Sequence, residues 1–314
     1  MARHPIRFGI QTGQQYVAWN DLLDLWRKAD AWGYDSLWNF DHFYPIFADP
    51  NGPCLEAWTT LSALAQATTR ARIGTLVNGN TYRNPCVLAK MAASLDHISG
   101  GRLNLGIGAG WFELEHRAFD IDFKTVPQRL RALDEACKIL KGMFSGEKFS
   151  FDGKHYRIAD ALGQPPPVQK PHPPIMIGGS GEKVLLRIVA QHADMWNSFG
   201  SPERFRELID VIRRHGDAVE RDVDEIEKTV AMPLCYGGGT EREAVVTQMV
   251  AAAQKCSLEE ARRRAMIGSK DECLETIARY RDAGVTHFIF MLFQPIFPDE
   301  LQAFAEDVAP AARA

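Results

Sequence analysis

The sequence predicts an α/β fold, a (β/α)8 TIM barrel with an insertion before its fifth strand. Three observations carry this expectation: eight short apolar runs, segments of helical period between them, and one polar stretch that breaks the alternation. The runs cover residues 6–10, 35–40, 71–77, 103–107, 174–177, 193–198, 229–236 and 287–293. They are too short for helices and apolar on both faces, as strands of a parallel sheet are. Helical period fills 20–32 (Leu22, Leu23, Leu25, Trp26 and Ala29, stopped by Gly33), 55–68, 87–98 and 128–144. It returns over 181–191, 203–220, 241–265 and 270–283, with a closing helix near 299–308. A doubly wound open sheet shares this rhythm, but eight strands are the number that closes a barrel. The polar stretch, 145–173, carries Asp152-Gly153 as a hairpin turn and the cluster Pro165-Pro166-Pro167. With no internal repeat or linker, one domain over 1–314 is expected.

Composition narrows the partner. The 314 residues are 46% apolar, and 36 Lys+Arg against 40 Asp+Glu give a formal net charge of −4 without a long basic run. That balance argues against nucleic acid or an anionic membrane and for a small-molecule substrate. The opening Met1-Ala2-Arg3-His4-Pro5 leads straight into the first apolar run, and no uncharged apolar stretch reaches membrane-spanning length. A cytoplasmic protein is the expectation. Its cysteines, Cys54, Cys86, Cys137, Cys235, Cys256 and Cys273, show no CxxC spacing, which predicts reduced and mostly buried thiols.

In a barrel the chemistry sits where the strands end. Those ends read Gln11, Asn39-Phe40-Asp41-His42, Asn78-Gly79-Asn80, Gly108-Ala109-Gly110, Gly178-Gly179-Ser180-Gly181 and Asn197. Loops are commonly polar and glycine commonly ends strands, yet six such ends together point to a site. Gly178 to Gly181 follow a strand and precede a helical segment, an arrangement that cradles phosphate through backbone N–H groups; a plain tight turn has the same composition. Gly106-Ile107-Gly108-Ala109-Gly110 approaches a dinucleotide fingerprint but places Trp111 at the sixth position, so that reading fails. The glycines instead let a flat ring approach the backbone, with Trp111 and Phe112 as walls. Asp41-His42 sits among Trp38, Phe40, Phe43 and Tyr44, where an imidazole can face a bound ring while the aspartate orients it. An N-cap aspartate beside a structural histidine would look the same. The other histidines show neither HxH nor HExxH spacing, and no GxSxG is present.

Several stretches together resemble a known family. They are Ile73-Gly74-Thr75-Leu76-Val77, Tyr82-Arg83-Asn84-Pro85, Ser94-Leu95-Asp96-His97-Ile98-Ser99-Gly100-Gly101-Arg102 and Leu105-Gly106-Ile107-Gly108-Ala109-Gly110-Trp111. Asp41-His42-Phe43, Asp152-Gly153-Lys154-His155-Tyr156, Pro174-Ile175-Met176-Ile177-Gly178-Gly179 and Ala193-Asp194-Met195-Trp196-Asn197 support them. Over nearly its whole length the chain resembles the bacterial luciferase-like monooxygenase superfamily, in the branch of coenzyme F420-dependent oxidoreductases.

The resemblance implies a barrel that holds a flavin or deazaflavin with its ring over the third strand and its phosphate at Gly178, Gly179, Ser180 and Gly181. The cofactor contacts would be Gln11, Asp41, His42, Leu76, Val77, Asn78, Gly108, Ala109, Gly110 and that turn. It implies a non-prolyl cis peptide at Leu76–Val77, an active-site role for His42 with Asp41, and a homodimer. Trp111 stands where sugar-phosphate dehydrogenases of the family carry an acidic residue, which puts their substrate in doubt here; Glu113 or Glu115 could supply a carboxylate from the same loop, or be solvated surface charges. The activity implied is hydride transfer between F420 and a small organic substrate. The alternatives are FMN-dependent monooxygenation and a non-catalytic flavin-binding barrel.

Overall fold

A computed structural model describes residues 4–314; Met1, Ala2 and Arg3, at the head of the opening stretch, lie outside the described residues. Twelve strands are described: β1 (Arg7–Thr12), β2 (Ser36–Asn39), β3 (Arg72–Thr75), β4 (Asn78–Gly79), β5 (Leu103–Gly108), β6 (Lys148–Asp152), β7 (Arg157–Leu162), β8 (Ile175–Gly178), β9 (Met195–Ser198), β10 (Glu227–Tyr236), β11 (Met266–Gly268) and β12 (His287–Leu292). All eight predicted runs are strands. They pair in parallel in the order β1, β2, β3, β5, β8, β9, β10, β12, and β12 returns to β1, so the sheet closes as a barrel rather than lying open.

Local chemistry explains where the surrounding helices start and stop. Helix Trp19–Trp32 ends because Gly33 adopts φ 97°, a left-handed conformation that costs glycine nothing. Asn84 caps helix Pro85–Ile98 by accepting from the Cys86 N–H, with Pro85 at the first turn where its missing N–H is harmless. Thr125 and Gln128 form a capping box at the head of helix Val126–Phe144. β6 and β7 form the antiparallel hairpin expected between 145 and 173, and the Glu135 carboxylate of that long helix holds its turn by accepting from the N–H groups of Lys154, His155 and Tyr156.

Two helical expectations need correction. The segment 241–265 is not one helix but two, Gly239–Gln254 and Leu258–Arg263, separated where Lys255 turns left-handed at φ 50°. Ser257 and Glu260 then form a capping box, a helix-start signal present in the sequence inside a run of unbroken helical period. The strand that follows, β11, pairs with β10 at Leu234, Cys235 and Tyr236; three residues are too few to show a strand period. The helix expected from Gly181 starts at Leu185, after a further turn.

The third strand is interrupted. Gly74 pairs with Asn104 and Asn78 with Ile107, so four steps along this strand match three along β5: one extra residue is accommodated as a bulge. The Leu76–Val77 peptide there is cis, as the resemblance implies. Inside the barrel, Trp38, Met176, Met195 and Ile289 form a small cluster against Leu76 and Val77, and Gly74 leaves room for the indole, since a Cβ there would lie 2.6 Å from Trp38.

The N-terminal end of the barrel is closed by buried polar groups. Arg7 donates to Glu227 at 2.9 and 3.1 Å, His287 Nδ1 lies 3.2 Å from the same carboxylate, and His287 Nε2 is 2.7 Å from Ser36 Oγ, which also accepts from Trp38 Nε1. Burial alone would raise the Glu227 carboxyl, but His287 and Arg7 outweigh it and hold it at about 2 against an ordinary 4.5. A folded-state value below the unfolded one stabilises the protein above the unfolded value and is lost as pH falls through the folded one. Wild-type stability should therefore decline between about pH 4.5 and 2 through this group. Glu227→Gln should cost about 1.5–3 kcal/mol at neutral pH and flatten that decline, read by urea denaturation at several pH values.

Candidate active site

At the C-terminal ends of the strands the bulged third strand forms the floor of a mouth. Leu76 and Val77 are half-buried there. Gln11, at the end of β1, donates to the Leu76 carbonyl at 2.9 Å and ties the first strand to the bulge. Asn78 is fully buried with both ends of its amide used internally: it accepts from Trp58 Nε1 at 2.7 Å and donates to Thr75 Oγ1 and the Gly106 carbonyl. It braces the bulge from beneath. A Cβ at Gly106, Gly108 or Gly178 would lie 3.0–3.1 Å from the Val77 methyls, so Val77 packs where these strand ends carry no side chain. Beyond β5, Ala109 is half-buried and Gly110 turns at φ 78°, where a Cβ would meet Thr81 Oγ1 at 2.6 Å.

The turn after β8 is braced from one side and open on the other. Gly179, at φ 127°, donates to the Asn197 carbonyl at 2.9 Å, and its own carbonyl accepts from Trp196 Nε1 at 2.8 Å. Ser180 and Gly181 are exposed, and helix Leu185–His192 begins only four residues beyond Gly181.

Asp41 and His42 separate chemically, although they are adjacent in the chain. Asp41 is buried and accepts a two-pronged bond from Arg83 at 2.6 and 3.0 Å; Arg83 also reaches Glu56 at 3.2 Å, the residue that caps helix Ala57–Ala67. Burial raises the Asp41 carboxyl and the guanidinium opposes it. The aspartate therefore does not orient the histidine, which corrects the expectation from adjacency. That role falls to Glu115, fully buried on the short helix Glu113–Ala118, with Oε1 2.5 Å from His42 Nδ1. The other carboxylate oxygen accepts the Phe43 N–H at 2.8 Å, and the Tyr82 hydroxyl donates to Oε1. Burial would raise Glu115, but His42, Tyr82 and the Phe43 N–H together hold it below the usual carboxylate range. Glu113 is the solvated one, paired with Arg117 at the surface.

His42 is itself 7% exposed and makes no hydrogen bond through Nε2 among the described residues. Aromatic rings enclose it: Trp111 at 5.4 Å, Phe40 at 5.7 Å, Phe112 at 5.8 Å and Tyr82 at 6.3 Å between centroids. An imidazole with Nδ1 fixed by a carboxylate and Nε2 unused is equipped to exchange a proton. The nearby Cys54 is not equipped to be a nucleophile, because burial and then Glu115 push its thiol up to about 12. The six cysteines are free, and no three His, Cys, Asp or Glu side chains among the described residues group as metal ligands. A groove of about 940 Å³ opens at the other end of the barrel among Arg206, Asp210, Arg213 and Asp224. That end is where barrels keep stabilising rather than reacting residues, and His42 is far from it in the topology.

Residues 3–255 match the luciferase-like monooxygenase family model. The chain belongs to this family. Among curated relatives, this luciferase-like protein is 28% identical to an F420-dependent glucose-6-phosphate dehydrogenase of Microbacterium testaceum (strain StLB037), over 98% of each chain. Its fold superposes on an F420-dependent secondary alcohol dehydrogenase in complex with an F420-acetone adduct, with TM-score 0.87 and 21% identity over 99% of this chain and 100% of the other. It also superposes on the coenzyme F420-dependent tetrahydromethanopterin reductase from Methanopyrus kandleri, with TM-score 0.84 and 18% identity over 98% and 99% of the two chains.

Proposed function

We propose that this luciferase-like protein is a coenzyme F420-dependent oxidoreductase that transfers a hydride between the deazaflavin and a small organic substrate. The observation that carries the reading is His42, locked through Nδ1 by a buried carboxylate and, among the described residues, unbonded at Nε2, on the loop after β2 and so beside the bulged third strand. The residues present fit a flat heterocycle with an anionic handle. Strand ends at Gly106, Gly108 and Gly178 carry no side chain beside half-exposed Val77, and Ser180 and Gly181 leave main-chain amides and a hydroxyl at the surface. Leu76, Val77, Ala109 and Gly110 would support the ring, with Gln11 and Asn78 fixing the backbone beneath it; Gly178 to Gly181 would hold the phosphate.

A bound deazaflavin supplies a carbon that takes or gives a hydride and reacts slowly with oxygen, unlike the N5/C4a region of a flavin. The chain supplies the proton and the setting. His42 Nε2 exchanges a proton with the substrate oxygen, Glu115 fixes the ring through Nδ1, and the surrounding rings leave His42 only 7% exposed. The F420 names of the curated relatives support the deazaflavin over FMN.

Titration of purified protein with F420 and with FMN, followed by quenching of each cofactor's fluorescence, tests the reading. Saturable binding of F420 at least about tenfold tighter than FMN is expected, a difference of about 1.4 kcal/mol. Preference for FMN would favour monooxygenation instead. Tight F420 binding with no turnover of any alcohol, ketone or enone would favour a non-catalytic barrel.

A further inference from the structure

We propose that the mouth selects an uncharged, largely apolar alcohol or carbonyl compound and rejects sugar phosphates, with Phe47 and Trp111 as the selecting side chains. The proposal rests on the F420 reading and names the substrate class for the same site.

Two large rings stand in solvent where the strands end. Phe47 is 64% exposed and Trp111 54% exposed, yet their rings stack on each other with centroids 6.0 Å apart and planes 17° apart, and Trp111 in turn lies against His42. Phe47 also holds φ 58°, a left-handed conformation unfavourable for a bulky side chain, which persists only where the surrounding loop imposes it. An exposed aromatic held in a costly conformation beside a proton-transfer group is arranged for a ligand rather than for the core.

The charges at the mouth point the same way. Beside Phe47 a small hollow of about 20 Å³, lined by Gln11, Ile46, Met291 and Phe293 among others, has no charged side chain among the described residues that line it. A neighbouring cavity of about 130 Å³ shares Met291, Leu292 and Phe293 and is walled by Val245, Met249 and Ile296. Its two charged residues, Arg242 and Glu300, bond to each other, and Arg242 also lies 3.4 Å over the Phe297 ring. Arg83, paired with Asp41 next to His42 in the chain, already holds both Asp41 and Glu56. A phosphate dianion entering here would lose its water without gaining the charge-assisted donors that binding it requires. An apolar molecule would gain the contacts that Phe47, Trp111 and the cavity walls offer. In the oxidising direction the carbinol C–H bond would break and its electron pair would leave as hydride, which a bound deazaflavin would take up. The hydroxyl proton passes to His42 Nε2 and the C=O bond forms; the reverse reaction returns both to a ketone.

The test uses F420-loaded protein with cyclohexanol, 2-propanol and glucose 6-phosphate, following F420 reduction. Cyclohexanol should exceed 2-propanol in kcat/KM by about tenfold or more, and glucose 6-phosphate should give no turnover. Phe47→Ala and Trp111→Glu should each raise the KM for cyclohexanol about tenfold, a loss falling more on KM than on kcat, whereas Trp111→Phe should restore most of it. A readout free of turnover is isothermal titration of the cofactor-free protein with 2-acetylnaphthalene and with glucose 6-phosphate: the ketone should bind and Phe47→Ala should weaken it. Failure of F420 to bind would sink the cofactor reading while leaving this titration to decide the substrate class. Turnover or binding of glucose 6-phosphate equal to that of the apolar compounds would overturn the proposal. So would a Phe47→Ala protein with unchanged KM and an altered oligomeric state by sedimentation, which would assign the stacked rings to contact with a second copy.

Discussion

Replacing His42 with alanine is expected to lower kcat by about 10²–10⁴-fold with F420 and a substrate alcohol, because proton transfer by a positioned side chain contributes that much. Glu115→Gln removes the charge behind Nδ1 and leaves the imidazole in place, so its expected loss is smaller, about tenfold. The two variants together distinguish a catalytic histidine from a structural one. A structural role for His42 would show as a loss of thermal stability with kcat nearly intact in the folded fraction. Circular dichroism and steady-state kinetics over pH 5–9 on the same preparations check this, and His42→Ala turnover within about threefold of wild type would remove the residue from the mechanism.

Asp41→Ala is expected to destabilise the protein by about 3 kcal/mol. The carboxylate is 1% exposed and bonds Arg83 through both oxygens, and removing one partner of a buried pair typically costs 3–5 kcal/mol because the other charge is stranded. Glu56 remains 3.2 Å from the guanidinium and holds the loss to the lower end of that range. The same substitution should leave the Glu115 bond to His42 standing. Denaturant midpoints should therefore fall for Asp41→Ala, and the shape of the pH–rate profile should move for Glu115→Gln and not for Asp41→Ala. If Asp41→Ala reshaped that profile as Glu115→Gln does, the separation of the two carboxylates into a brace and an orienting group would be wrong.

What the residues revealed in advance follows from how local each signal is. Strand runs such as 103–107 and 287–293 were legible because burial on both faces leaves an uninterrupted apolar word, and their alternation with helices led to closure. Strand ends were legible for the same reason, since polarity changes abruptly after Ile10, Ile107 and Ile177. The partner of His42 was not. Chain adjacency suggested Asp41, whereas the carboxylate that reaches Nδ1 lies 73 residues away on a helix too short to show a period. From the sequence Glu115 reads either as a carboxylate supplied to the site or as a solvated charge, because carboxylates are seldom fully buried unless paired and the pairing exists only in three dimensions. The break at Lys255 is hidden for a different reason: apolar spacing continues across it, although Ser257 and Glu260 spell out a new helix start.

The third strand also constrains how this protein can vary. Because Asn78 regains its pairing with Ile107 only after one surplus residue, the count between Thr75 and Asn78 is fixed in a way that loop lengths around the rim are not. Deleting one residue there would let the ladder run on unbroken with Asn78 still opposite Ile107, but the strand would lose the surplus residue that sets Leu76 and Val77 out of the regular pleat. Homologues can thus diversify by lengthening or trimming the rim, but a lineage that lost the surplus residue would keep a barrel and forfeit its binding floor in a single step.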